Sequence, residues 1–232
     1  MSDEQKAATT GTNQLTNRML WYEDDIHQLE AKLNALTISP SKTAVNGAIP
    51  NPERVTSDRI VFYGSSSIRL WTTLATDFPA INSLNLGFGG STLAACTWFF
   101  ERILVPSAPK SVVFYAGDND LGDGRHPEEV YLFFCTFAQK MRRQLPGVPL
   151  SFLSVKISPA RWDIAPKIRH TNELIAQEIA RFSDYQVIDT TTPLLDTAGR
   201  PRRELFEVDG LHLSPAGYRV WQRVLQQHPG VF

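Results

Sequence analysis

The sequence predicts an α/β protein in which helices cover both faces of a parallel sheet. From Arg59 onward, short apolar runs of strand length alternate with longer segments of helical character. The first three runs each end in glycine-rich polar residues, as is typical of the carboxyl ends of parallel strands in open α/β sheets. The chain has 232 residues, of which 42% are hydrophobic, and this is enough to bury a sizeable core in one domain.

The apolar runs predict five buried strands in chain order. Their sequences are RIVFY, SLNL, SVVFYA, PLSFLSV and YQVID, at about residues 59–63, 83–86, 111–116, 149–155 and 185–189. The crossover after the third strand contains Pro127-Glu128-Glu129, a favourable first helical turn because proline fits there and acidic side chains stabilise the positive end of the helix dipole. In the next crossover, apolar residues recur on one helix face: Ile164, Ile168, Ile175, Ile179 and Phe182.

Residues 1–57 form a predicted N-terminal extension, and the main domain spans residues 58–232. The polar start, to about residue 13, is typical of a disordered segment, and the stretch from about residue 37 is a connecting loop rich in Ser, Thr, Asn and Pro. Between them, about residues 14–36 predict a helix, because apolar residues fall near helical spacing: Leu20, Trp21, Ile26, Leu29, Leu33 and Leu36. This apolar stripe must be buried, either on its own domain or in a homo-oligomer.

Composition and charge argue against several classes of protein. The formal net charge is −1, which provides no field to attract nucleic acid or an anionic membrane surface. The first residues, MSDEQKAATTGTNQ, are polar, so we expect no signal peptide, no integral membrane association and a cytoplasmic location. Cys96 and Cys135 lie in apolar runs without any CxxC pattern, and we expect buried free thiols rather than a disulfide or a zinc site.

The unusual residues of the chain fall at the ends of the first three predicted strands. The first strand ends in GSSS at residues 64–67, the second in GFGGS at residues 87–91, and the third in GDND at residues 117–120. Ligands of open parallel sheets bind outside these carboxyl ends, and glycines there let backbone N–H groups approach a substrate closely. The three motifs are therefore predicted to converge on one site.

A fourth motif, DGLH at residues 209–212, precedes the last predicted helix. Ser214 is a suitable N-cap with Pro215 at the first helical position, which places Asp209 and His212 on a short turn. Such a turn lets Asp209 accept a hydrogen bond from one imidazole nitrogen while the other acts as a general base. A serine nucleophile needs such a base because its free hydroxyl reacts poorly at neutral pH.

In these four motifs and their order, the chain resembles the SGNH hydrolases of the GDSL esterase and lipase superfamily. The resemblance runs from about Arg59 to Tyr218. It implies a flavodoxin-like three-layer α/β/α sandwich with about five parallel strands, and hydrolysis without a metal or other cofactor. One position departs from the family pattern, because Ser65 stands where the family has an aspartate after the first glycine.

The resemblance assigns a role to each motif residue. Ser66 is the nucleophile, His212 its base, and Asp209 the acid that orients the base. The oxyanion hole is formed by the backbone N–H groups of Ser66 and Gly90 with the side-chain amide of Asn119. Losing one such donor typically removes about 3–4 kcal/mol of transition-state stabilisation.

Structural roles remain open for these residues when each is taken alone. Ser66 suits a helix cap, Asp209 a turn, and Gly90 and Asn119 suit loops. The segment from Asp118 to Gly124 does not fit an EF-hand loop, because glycine stands where the pattern requires Asp or Asn. Trp162 is a candidate for the substrate pocket or for packing on the following helix. Aromatic residues predicted to lie in the core rather than in a lipid groove are Trp98, Phe99 and Phe100.

The function expected from these observations is hydrolysis of a small carboxylic ester through an acyl-enzyme. A site on loops at an open sheet edge is expected to be shallow, which suits short acyl groups such as acetyl, including acetyl esters of carbohydrates. Two alternatives remain open at this point: a lysophospholipase or acyl thioesterase, and a non-catalytic binding protein on the same scaffold.

Overall fold

The computed structural model describes residues 18–38 and 57–231. The predicted disordered start, the first residues of the predicted N-terminal helix and most of the connecting loop lie outside these ranges. The predicted boundary between extension and main domain, near residue 57, stays a prediction.

The centre of the fold is one sheet of five parallel strands. The strands are β1 (Arg59–Gly64), β2 (Asn82–Gly87), β3 (Ser111–Tyr115), β4 (Leu150–Leu153) and β5 (Tyr185–Ile188). Their order in the sheet is β2-β1-β3-β4-β5, so the direction of winding reverses beside β1. A ligand site is expected at such a reversal, outside the carboxyl end of β1. The predicted fold class is confirmed.

Helices pack on both faces of the sheet. They are α1 (Glu23–Ile38), α2 (Ser66–Arg69), α3 (Leu74–Asp77), α4 (Leu93–Trp98), α5 (Phe100–Ile103), α6 (Asp118–Gly122), α7 (Pro127–Gln144), α8 (Ala165–Ile179) and α9 (Pro215–Gln226). Single 3-10 turns span Pro159–Ile164, Thr192–Leu194, Arg203–Leu205 and Pro229–Val231. Side chains along β1 alternate between two buried clusters: Val61 and Tyr63 meet α1, α4, α5, α7 and α8, whereas Ile60 and Phe62 meet α2, α3 and α9.

The helix signals read from the sequence have the expected structural roles. Pro127 begins α7, and the Glu129 carboxylate accepts a hydrogen bond from the His126 N–H at 2.8 Å. Ser214 caps α9, because its Oγ accepts a hydrogen bond from the Gly217 N–H at 3.3 Å. None of the described helices is both long and apolar enough to cross a lipid bilayer.

The N-terminal helix packs on its own domain. From Ile26 onward its predicted apolar stripe packs on the larger core cluster, with Ile26 and Leu33 buried and Leu29 and Leu36 partly buried; Met19 and Tyr22, just before α1, are buried in the same cluster. On the polar side, the Arg102 guanidinium binds the carboxylates of Glu23 and Glu30, each at 2.8 Å. The part of the stripe on α1 is therefore covered within one chain.

Four residues lie differently from the sequence expectation. Leu20 and Trp21 were expected in the buried stripe but are 60% and 75% exposed, because the chain turns at residues 21–22 before α1 begins. Trp98 was expected in the core, but 55% of it is exposed, because α4 ends there and the chain turns so that Phe99 and Phe100 take the buried positions. Cys96 is buried as expected, whereas Cys135 is only half-buried on α7; both are free thiols.

Candidate active site

The proposed nucleophile lies at a sharp turn between β1 and α2. Gly64 has a φ of +137°, and a Cβ at that position would lie 1.9 Å from the Tyr115 carbonyl oxygen, so only glycine fits. The Ser65 N–H donates to the same carbonyl at 2.9 Å, which extends the pairing of β1 with β3 by one residue. The chain then turns into α2, whose first residue is Ser66. The hydroxyl of Ser66 is thereby placed at the carboxyl edge of the sheet.

The structure brings the three predicted triad residues into one hydrogen-bonded chain. The Nε2 atom of His212 lies 3.0 Å from the Oγ atom of Ser66. Its Nδ1 atom lies 2.6 Å from Oδ2 of Asp209. Because the Asp209 carboxylate binds Nδ1, the imidazole is oriented with Nε2 towards the serine hydroxyl and can take its proton. A serine nucleophile requires this arrangement.

The Asp209 carboxylate is held ionised by its own turn. Burial would raise its pKa, but the N–H of Leu211 and the side chain and N–H of His212 outweigh this and lower the pKa of Asp209 to about 2. Its Oδ1 atom accepts hydrogen bonds from the N–H groups of Leu211 at 2.8 Å and His212 at 3.0 Å. The turn that carries the base therefore also orients the acid.

The three predicted oxyanion donors lie on adjacent strand ends. Gly90 has a φ of +63°, a conformation that favours glycine, and its N–H makes no hydrogen bond to the described residues. The Ser66 N–H is likewise without a partner among them, as expected at the first position of a helix. The Asn119 amide donates one hydrogen bond to the Ser91 carbonyl at 3.0 Å, which fixes its orientation and leaves its second N–H for a substrate.

A buried ion pair lies beneath the nucleophile turn. Lys156, which is 1% exposed, donates from Nζ to Oδ2 of Asp118 at 2.8 Å, to the Tyr115 hydroxyl at 3.0 Å and to Oγ of Ser67 at 3.1 Å. Burial would raise the pKa of Asp118, but the Lys156 ammonium outweighs this and lowers it. The cluster therefore links Ser67, which follows the nucleophile, to Asp118, which precedes Asn119.

A second buried carboxylate supports the glycine loop. Asp120 accepts a hydrogen bond from the Leu93 N–H at 2.7 Å, at the beginning of α4. Burial raises the pKa of Asp120 to about 6, although the N–H groups of Leu93 and Ala94 act in the opposite direction. This contact ties the element that carries Asn119 to the helix that follows Gly90.

A cavity of about 440 Å³ opens onto these groups. Its lining contains Ser66, Gly90, Asn119 and His212, so the predicted reactive groups share one space. The remaining lining residues are Trp21, Tyr22, Asp24, Asp25, Arg69, Leu70, Gly89 and Leu211. Trp162 does not line this cavity and is 42% exposed. The 3-10 turn that carries it contacts the Asp209 turn, where the Ala160 N–H donates to the Gly210 carbonyl at 3.0 Å.

Sequence reasoning missed two contributions to this site. It treated the N-terminal helix as an extension, whereas Trp21, Tyr22, Asp24 and Asp25 form one wall of the cavity. It also passed over Lys156, although a lysine inside the apolar run SFLSVKIS is a signal of a buried ionic partner.

A sequence model of the GDSL-like lipase/acylhydrolase family matches residues 58–220. The chain belongs to this family. It is therefore a carboxylic ester hydrolase, and the resemblance to SGNH hydrolases is confirmed. No match was found among curated protein sequences.

Solved structures of the same fold come from several bacteria. A Streptococcus pneumoniae protein provisionally described as a platelet activating factor is 18% identical, with a TM-score of 0.72 over 97% of this chain and 99% of that one. A GDSL-like lipase from Bacteroides thetaiotaomicron is also 18% identical, with a TM-score of 0.68 over 87% and 95%. The lipase/acylhydrolase from Enterococcus faecalis is 20% identical, with a TM-score of 0.61 over 75% and 96%. At these identities the likeness establishes the fold of this family member.

Proposed function

We propose that this GDSL family member cleaves short-chain carboxylic esters through a covalent acyl-enzyme formed on Ser66. The observation that carries the proposal is the chain of hydrogen bonds from Ser66 through His212 to Asp209, at 3.0 and 2.6 Å. A purely structural role would not require a hydroxyl, an imidazole and a carboxylate hydrogen-bonded in this order beside a cavity.

The reaction follows from the positions of these groups. Oγ of Ser66 attacks the acyl carbonyl while Nε2 of His212 takes its proton. His212 then gives that proton to the leaving alcohol, and the acyl group remains on Ser66. Water enters, is deprotonated by His212 and releases the carboxylic acid by the same steps in reverse. Asp209 stabilises the imidazolium at each stage without itself becoming protonated.

Negative charge on the carbonyl oxygen is stabilised by donors that follow three strands, β1, β2 and β3. The N–H groups of Ser66 and Gly90 and the free N–H of Asn119 supply three donors. Donors that the fold holds in place, as the Ser91 carbonyl holds the Asn119 amide, act on the transition state with little reorganisation. Each is expected to contribute on the order of 3 kcal/mol.

The lining of the cavity favours a short acyl group and a polar alcohol. Asp24, Asp25 and Arg69 supply charged groups close to the reactive atoms. Placing a long hydrocarbon chain against them would remove charged groups from water without compensation. An acetyl or similarly small acyl group avoids this loss, and acetylated carbohydrates are one class of substrate with such a leaving group.

A second candidate function is hydrolysis of lipid-like acyl groups, as in a lysophospholipase or an acyl thioesterase. The observation in its favour is the apolar part of the same lining, formed by Trp21, Leu70 and Leu211. For either function we expect the substrate to be a small-molecule ester and the location to be the cytoplasm. We expect neither nucleic acid nor a membrane as a partner.

A substrate panel tests the proposal. p-Nitrophenyl esters from acetyl to lauroyl, acetylated sugars, lysophospholipids and acyl thioesters are compared by kcat/KM, with Ser66→Ala as the inactive control. The short-acyl proposal requires kcat/KM to fall as the acyl chain lengthens. A preference for long chains or lysophospholipids would establish the second candidate, and no turnover together with no phosphonate adduct on Ser66 would favour a binding protein.

A further inference from the structure

Residues 21–25, just before and at the beginning of α1, contact the GFGGS segment at residues 87–91. We call that segment the oxyanion loop, because it carries the proposed donor N–H of Gly90. The Asp25 carboxylate accepts a hydrogen bond from the Gly89 N–H at 2.8 Å. The Tyr22 hydroxyl donates to the Gly90 carbonyl oxygen at 3.2 Å. Both partners in the loop are backbone atoms, so these contacts fix the path of the main chain rather than a side chain.

The two hydrogen bonds hold the peptide units on either side of a proposed oxyanion donor. The Gly89 N–H belongs to the peptide before the Gly89–Gly90 unit, and the Gly90 carbonyl belongs to the peptide after it. The N–H of Gly90 lies between them. Two consecutive glycines have wide conformational freedom, so external contacts are needed to keep this N–H aimed at one point. A shift of 1 Å in such a group can reduce a rate by about 100-fold.

The segment that makes these contacts is itself firmly held. Tyr22 is 3% exposed, and its ring packs edge-on against Phe88 and Phe99. Arg18 pairs with Asp123, which follows the helix that carries Asn119. The N-terminal segment therefore contacts both the loop after β2, which carries Gly90, and the end of α6, which carries Asn119 after β3.

Trp21 stands at the mouth of the same cavity. It is 75% exposed, and its six-membered ring would lie 3.5 Å from a Cβ placed on Gly90. A large apolar ring so open to water has little effect on folding. It offers instead a flat surface to whatever part of the substrate lies beside the oxyanion loop.

We propose that residues 21–25 are part of the active site, with Tyr22 and Asp25 positioning the oxyanion loop and Trp21 contributing to substrate specificity. The proposal rests on the proposed esterase function for its kinetic consequences. The contacts on the loop do not depend on that function, and amide hydrogen exchange measures them without any substrate.

Kinetics test the positioning role with matched variants. Tyr22→Phe keeps the buried ring and removes only the hydroxyl, with Tyr131→Phe, whose hydroxyl contacts Glu178, as its control. Asp25→Ala is paired with Glu128→Ala, which removes an acidic group from the first turn of α7 instead. We expect kcat to fall roughly tenfold in both site variants, with KM and both controls within about twofold of the wild type. Unchanged kcat in both site variants would overturn the positioning role.

Substrate contact by Trp21 has a different kinetic signature. Trp21→Ala is expected to raise KM roughly three- to tenfold with little change in kcat, because the ring binds substrate and transition state alike. Leu20→Ala is the control, since Leu20 is also exposed but does not line the cavity. An unchanged KM across the substrate panel would remove Trp21 from the proposal.

Amide hydrogen exchange separates this inference from the proposed function. Asp25→Ala should accelerate exchange at the Gly89 N–H, which loses its acceptor, whereas Glu128→Ala should not. If exchange accelerates but neither wild type nor variants cleave any ester, the proposed function has failed and the positioning contact stands. If exchange is unchanged, the positioning role fails whatever the activity.

Discussion

The Nε2 atom of His212 lies 3.0 Å from the Oγ atom of Ser66, although 146 positions separate the two residues in the chain. They meet because β1 delivers Ser66 to the carboxyl edge of the sheet, and the turn before α9 returns to that edge. At this distance the imidazole nitrogen is within hydrogen-bond reach of the serine hydroxyl, as a general base must be.

Ser66→Ala should abolish turnover. Without a hydroxyl at this position no acyl-enzyme forms, and kcat should fall by roughly 10⁴-fold or more. Intact-mass measurement after treatment with a serine-reactive phosphonate checks the assignment, because the wild type should gain one adduct and Ser66→Ala none.

The neighbouring serines serve as controls. Oγ of Ser65 is buried without a hydrogen-bond partner among the described residues, so Ser65→Ala should leave kcat within about twofold. Ser67→Ala removes an acceptor of Lys156 and should have a moderate effect on kcat. Labelling that survives in Ser66→Ala but disappears in either other variant would move the nucleophile.

Asn119→Ala tests the side-chain donor of the oxyanion hole. The substitution should lower kcat by roughly 10²–10³-fold and change KM little, because the amide acts on the transition state. Steady-state kinetics with a short-acyl ester provide both numbers. Equal changes in kcat and KM, or a rise in KM alone, would show that Asn119 binds the ground state instead.

Asp209→Asn tests the orienting acid. The pKa of Asp209 is lowered to about 2, so its stabilising contribution is present above the unfolded value, near pH 4, and is lost only as pH falls through about 2. Asp209 therefore stays ionised throughout the working range. The Asn variant should lower kcat by roughly 10²–10⁴-fold, measured at several pH values between about 5 and 9. Activity restored at any of these pH values would contradict a role in orienting the imidazole.

The convergence of the four motifs could be predicted because it follows from topology. The carboxyl ends of adjacent parallel strands share one edge, so GSSS, GFGGS and GDND had to meet once the strands were recognised. The turn from Asp209 to His212 was readable for a similar reason, since its cap at Ser214 fixed where α9 begins. These inferences used short-range patterns whose geometry is nearly independent of the rest of the chain.

The contacts of Tyr22, Asp25 and Lys156 could not be predicted in the same way. Tyr22 and Asp25 bind backbone atoms of Gly89 and Gly90, and a backbone partner leaves no mark in the sequence. The helical spacing showed that the α1 stripe must be buried but not on which surface. The only sign of Lys156 in the sequence is a charge within an apolar run. That sign does not identify its three acceptors, which are Ser67, Tyr115 and Asp118.

Asp120 should make the stability of the protein depend on pH. Burial raises its pKa to about 6 in the folded protein, above the unfolded value near 4, so the protonated form is favoured by folding. This contribution is fully present below about pH 4 and is lost as pH rises through about 6. For a shift of about two units, the free energy of unfolding should fall by up to about 3 kcal/mol over this range.

Asp120→Asn isolates the effect from that of other titrating groups. Urea unfolding of both proteins between about pH 4 and 7 should show a pH-dependent difference, because the variant lacks this carboxyl. A difference that stays constant with pH would mean that Asp120 titrates normally in the folded state.

The Lys156–Asp118 pair should matter for catalysis beyond its effect on stability. Lys156→Met or Asp118→Asn alone leaves one charge buried without its partner, and each should destabilise the protein by about 3–5 kcal/mol. The double variant removes both charges, so most of the stability should return. Its kcat should still be roughly tenfold low, because Ser67 and Tyr115 lose the ammonium that fixes them beneath the nucleophile turn. Thermal unfolding and kinetics of the three variants decide the matter: if the double variant regains both stability and kcat, the pair has a purely structural role.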